Sequence, residues 1–142
     1  MKTLLIASAI VAAVASPALA EWVQVGSGDR AAISIDTSSI KRTGSSRLYW
    51  SRIEYFVPQS GFSRIDTYQR ANCKQNRIRT IETRGYDLSG QLVERSLKAR
   101  NQDVVPNTLD GLAFEAVCYF KFHLKLISTR QINWQLIDGL YH

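Results

Sequence analysis

The chain has 142 residues, room for one domain of ordinary size and hardly for two. With 45% hydrophobic and 21% charged residues it reads as globular, which excludes a disordered chain. Lys and Arg outnumber Asp and Glu by 18 to 12, and a net charge of +6 either keeps a small domain soluble or draws it to anionic partners.

The first 20 residues read as an export signal. Met1-Lys2 supplies a positive charge, residues 3–15 are apolar, and Pro17-Ala18-Leu19-Ala20 sets small residues where a signal peptidase reads them. Cleavage is expected between Ala20 and Glu21. The apolar run is shorter than the ~20 residues of a spanning helix, so no transmembrane segment is expected after cleavage. The protein is then exported, to the periplasm or the cell surface. Export removes nucleic acid from the partners a basic chain would otherwise suggest. Acidic proteins, lipopolysaccharide or other envelope polymers, and acidic glycans remain.

Residues 22–25 form a short strand, followed by a turn at Gly26-Ser27-Gly28-Asp29. Ala31 to Asp36 alternates, with Ile33 and Ile35 on one face. Asp36-Thr37-Ser38-Ser39-Ile40 reads as a turn capped by the Asp36 carboxylate. Gly44-Ser45-Ser46 makes a hairpin loop. Arg47 to Val57 carries aromatics on both parities and is expected to be a central strand, ended by Pro58-Gln59-Ser60-Gly61. Phe62 to Cys73 and Arg77 to Tyr86 are joined by a tight Lys74-Gln75-Asn76 link, which predicts an antiparallel hairpin. A turn at Ser89-Gly90 leads to a sixth strand, Gln91 to Leu97.

The period changes after residue 100. Asn107 and Thr108 are both suitable helix caps, and Leu109, Leu112, Ala113, Ala116 and Val117 form a helical stripe ending at Cys118. In the tail, Phe120, Phe122, Leu124 and Leu126 alternate with polar residues. That segment either adds an edge strand or pairs with a partner, which leaves a homodimer through an edge strand open. The predicted class is α+β: an antiparallel, meandering sheet of about six strands with a C-terminal helix packed on it. The organisation is a signal peptide (1–20), a domain (21–118) and a C-terminal extension (119–142).

Two cysteines, Cys73 and Cys118, in an exported chain argue for one disulfide, which would tie the helix to the sheet. Two buried free thiols are the alternative. Arg64, Arg70, Lys74, Arg77, Arg79 and Arg84 cluster across the proposed hairpin, and Arg77 and Arg79 share a face. Such a cluster binds carboxylates, sulfates or phosphates; read plainly, it is a solvated face partly neutralised by Asp66 and Glu82. Trp22 and Trp50 are expected in the core, Trp134 is unassigned, and an aromatic platform is the other reading. The two histidines, His123 and His142, belong to no cluster with metal-ligand spacing. No cofactor, metal site or catalytic residue is expected, and the chain does not read as an enzyme.

Several short marks occur in order along the chain: Trp22-Val23, Ile35-Asp36-Thr37-Ser38-Ser39-Ile40, Tyr49-Trp50, Cys73 with Arg77-Ile78-Arg79-Thr80, Tyr86 with Gly90, Val105-Pro106-Asn107-Thr108 and Val117-Cys118. In these, residues 21–118 resemble the surface-adhesin protein E family of exported bacterial proteins. The resemblance implies an antiparallel sheet with a C-terminal helix held by a Cys73–Cys118 disulfide. It also implies an adhesin's work, since the family takes its name from a member that binds matrix and serum proteins such as laminin and vitronectin. The expected function is an exported binding module that recognises an extracellular or envelope protein, or an anionic envelope or matrix polymer. The alternative is a periplasmic structural or stress-related protein, such as an inhibitor of a wall-active enzyme.

Overall fold

Turn residues set the sheet. In the computed structural model, which describes residues 19–119, strand β4 (Ser46–Gln59) turns into β5 (Phe62–Asn72) through Ser60 and Gly61. Both turn residues have positive φ, 52° and 85°, which matches the twist of paired strands. The link from β5 to β6 (Arg77–Tyr86) is held by Asn72, whose Oδ1 accepts from the N–H groups of Lys74 and Gln75 at 3.2 and 3.1 Å. With β1 (Trp22–Ser27), β2 (Ala31–Asp36) and β7 (Leu92–Ser96), these strands lie in the antiparallel order β1-β2-β4-β5-β6-β7. This is the expected meander, with β4 central.

Two further strands are too short for alternation to reveal. β3 (Lys41–Thr43) pairs with β4, and β8 (Arg100–Asp103) pairs with the first half of β6 while β7 takes the second half. Pro58 does not end β4. Pairing with β5 is interrupted between Glu54 and Gln59, so no ladder bond is demanded of its missing N–H.

One face of the sheet is covered by helix α1 (Leu109–Tyr119). Ile33, Ile35, Tyr49, Ala71 and Ile78 from the strands pack with Ala113, Phe114, Ala116 and Val117 from the helix. Gly26 faces the Leu112 side chain so closely that a Cβ there would collide with it. Of the two expected caps, Thr108 is the one used: its Oγ1 accepts from Gly111 N–H at 3.1 Å and donates to the Val105 carbonyl at 2.7 Å. Cys73 and Cys118 are bonded, with Cα atoms 5.6 Å apart, so the disulfide joins the β5–β6 turn to the end of the helix. Beneath the helix the Tyr49 hydroxyl is buried without a hydrogen-bond partner among the described residues, and desolvation, with Asp110 adding to it, pushes its phenol far above the ordinary range.

The tryptophans correct the sequence reading. Trp22 and Trp50 are half-buried on the face away from the helix and are absent from the core. Residues 1–18 of the expected 1–20 signal, and Trp134 with the strand-like segment after Tyr119, lie outside the described residues.

Candidate functional site

Directly paired residues of neighbouring strands share a face, so the register assigns the side chains of the uncovered side. β4 contributes Leu48, Trp50, Arg52 and Glu54, and β5 contributes Arg64, Asp66, Tyr68 and Arg70. β6 carries a bulge: Tyr68 pairs with Glu82 and Gln69 with Thr80, leaving Ile81 unpaired. The extra residue switches parity along the strand. Arg77 and Arg79 before it and Glu82, Arg84 and Tyr86 after it therefore all point to the same outer face.

The centre of this face alternates cations, rings and carboxylates. Arg52 donates to both oxygens of Asp66, at 2.8 and 2.9 Å, and lies 3.8 Å over the Trp22 ring. Arg64 stands 3.5 Å from the same carboxylate and 3.8 Å over Tyr86. Trp50 and Tyr68 stack with centroids 5.2 Å apart, and Arg84 covers Trp50 at 4.4 Å. Glu82 accepts from Arg95 at 2.8 Å and from Arg84 at 2.7 Å. The Arg95 bond, then the Arg84 bond and the charge of both, outweigh desolvation and hold the Glu82 carboxyl below the usual carboxylate range.

The six basic residues singled out in the sequence thus fall into different settings. Arg64 and Arg84 are built into the central lattice, neutralised by Asp66 and Glu82. Arg77 pairs with Asp103 on β8 at 3.1 Å. Lys74 is exposed in the β5–β6 turn. Arg70 and Arg79 stand directly opposite each other, both exposed, and among the described residues neither has a carboxylate within 4.0 Å. Lys41 and Leu48 complete their row, because Lys41 pairs with Leu48 and Leu48 with Arg70. The sequence reading left out Lys41, Arg52 and Arg95, since only strand register brings them to this face.

A cleft of about 270 Å³ between β8 and the start of the helix holds Asp110, which already accepts from Gln102 Nε2 at 3.0 Å. Among the described residues no three His, Cys, Asp or Glu side chains are placed to hold a metal, and no helix is long and apolar enough to cross a membrane.

A sequence model described as surface-adhesin protein E matches residues 22–119. No curated protein matches the chain. Among solved structures, Haemophilus influenzae protein E is similar at 17% identity with a TM-score of 0.50, over 68% of this chain and 83% of that one. A second crystal form of the same protein is similar at 14% identity with a TM-score of 0.47, over 71% of this chain and 96% of that one. At 17% identity the likeness to the first of these is one of fold.

Proposed function

We propose an adhesin's role for this chain, which belongs to the surface-adhesin protein E family. In this reading residues 1–20 direct export, residues 21–118 fold as the binding domain, and residues 119–142 extend it. The folded part stands at the cell surface. Its outer sheet face recognises the anionic groups of an extracellular partner, a matrix or serum protein or an acidic polymer.

The observation that carries this reading is the row Lys41–Leu48–Arg70–Arg79. Within the strands, the other outer-face arginines, Arg52, Arg64, Arg77, Arg84 and Arg95, all pair with a carboxylate. Like charges placed directly opposite on a sheet oppose folding; Glu82 bridges the opposed Arg84 and Arg95, whereas among the described residues no carboxylate bridges Arg70 and Arg79, so that pair is a local conflict. An anion bound between the two guanidinium groups relieves it, and guanidinium suits carboxylate and sulfate alike.

Two measurements test the reading. Protease added to intact cells should remove the protein, whereas protection until the outer membrane is breached would place it in a periplasmic structural or stress role. Purified protein should bind immobilised matrix proteins less tightly as salt rises. Arg70→Glu with Arg79→Glu should weaken that binding at least about tenfold, the scale of losing one charge-assisted contact. Unchanged binding would remove this row from recognition.

A further inference from the structure

Glu21, ahead of β1, lies against a buried carboxylate. The Glu21 backbone nitrogen donates to Asp36 Oδ1 at 2.9 Å. The Glu21 carbonyl accepts from Thr37 N–H at 2.9 Å and from Thr37 Oγ1 at 3.2 Å. The next residue, Trp22, pairs in register with Asp36. Leu19 and Ala20, just upstream, are exposed, Leu19 to 87%. The fold thus takes hold of the chain at Glu21, the residue after the small-residue motif Ala18-Leu19-Ala20.

Asp36 is 7% exposed. Its Oδ1 also accepts from Ser38 N–H at 3.0 Å and Ser38 Oγ at 2.5 Å. These are neutral donors. Among the described residues no Lys, Arg or His side chain lies within 4.0 Å of this carboxylate. That contrasts with Asp66, the other buried aspartate among the described residues, which has two arginines. A carboxylate buried without a counter-charge is costly, and a positive charge placed beside it lowers that cost.

We propose that Asp36 is the receptor for a new amino terminus made by cleavage between Ala20 and Glu21. The inference rests on the export reading above. Hydrolysis of that peptide bond consumes one water, leaves a carboxylate on Ala20 and leaves the Glu21 nitrogen as a free amine. The amine takes a proton at neutral pH. The atom that was a neutral amide donor 2.9 Å from Asp36 becomes an ammonium at the same place. A hydrogen bond from a neutral amide to the carboxylate becomes an ion pair in a largely buried site, without any movement of the strands. Removal of the leader thereby supplies the missing counter-charge and locks β1 at the edge of the sheet. The processed form is the form whose charges are complete.

The experiment starts from the full-length chain exported by a host cell. Intact mass first establishes the amino terminus, and a terminus other than Glu21 would overturn the export reading on which the proposal rests. The exported product is then compared with one carrying an alanine inserted after Ala20, so that the processed chain begins one residue before Glu21. The inserted form should unfold about tenfold more readily, the scale of exchanging an ion pair for an amide-to-carboxylate hydrogen bond. Asp36→Asn keeps an acceptor for Ser38 and lacks the charge. On that background the two amino termini should be equally stable. Equal stability on the natural background, or a difference that survives Asp36→Asn, would overturn the proposal while leaving export and adhesion intact.

Discussion

Glu82 holds together a larger part of the outer face than one carboxylate usually does. It accepts from Arg95 on the edge strand and from Arg84, whose guanidinium covers Trp50, which in turn stacks on Tyr68. The Arg95 bond leads in lowering its pKa from the ordinary 4.5, with Arg84 assisting, so the folded state favours the charged form. A carboxyl lowered in this way contributes its stability in full above its unfolded value, and that contribution is lost as pH falls through the folded value. Urea midpoints at pH 7 and pH 3 should therefore fall further for the parent than for Glu82→Gln, which has already lost the contribution at pH 7. Equal falls would show that Glu82 does not hold the face. Residue types on this surface were legible in the sequence, including the neutralising role of Asp66 and Glu82. Which cations remained uncompensated was not legible. That depends on Ile81 slipping out of register, and no Gly or Pro stands at that bulge; the glycine of the strand, Gly85, lies four residues further on.

At the scale of elements, the helix shows how tertiary contact overrides propensity. Replacing a helical glycine by alanine ordinarily stabilises by about 1 kcal/mol. Gly111 sits in the first turn, where its N–H caps onto Thr108 and the Val105 carbonyl crosses close by. A Cβ there would collide with that carbonyl oxygen, which is backbone and cannot swing aside as a flexible side chain does. Gly111→Ala should therefore destabilise, by about 1–3 kcal/mol, the range of overpacking. Urea denaturation measures it, and a stabilised variant would mean that the Val105–Thr108 lead-in shifts freely. The helical stripe predicted the element and most of its buried side, but Phe114 lies outside that stripe and is nevertheless buried at 1% exposure. The extended lead-in sets the rotation of the helix on the sheet, and a period count does not contain that angle. β3 and β8 were missed for a simpler reason: three and four residues carry too little alternation to be seen.

The whole molecule divides its labour between two faces, and the disulfide belongs to only one of them. Cys73 and Cys118 are 45 residues apart, a loop for which cross-linking stabilises by about 4 kcal/mol in the chain-entropy model. Against the ~5–15 kcal/mol of a typical domain this is a large share. The bond pins the helix, and the helix covers Ile33, Ile35 and Tyr49. The outer face is held differently. Its ion pairs lie within the sheet, from strand to strand for Arg52 with Asp66 and Arg95 with Glu82 and along β6 for Arg84 with Glu82, and among the described residues none involves the helix. Replacing both cysteines by serine should therefore cost about 2–5 kcal/mol of stability, read as a lower thermal midpoint. Well below that midpoint the double variant should still bind the partner recognised by the parent, with the same salt dependence, because Arg70 and Arg79 stay opposite each other on β5 and β6. If binding instead disappears while the sheet remains folded by circular dichroism, the partner reads the helix side of the molecule, and the row of cations is only a charged surface.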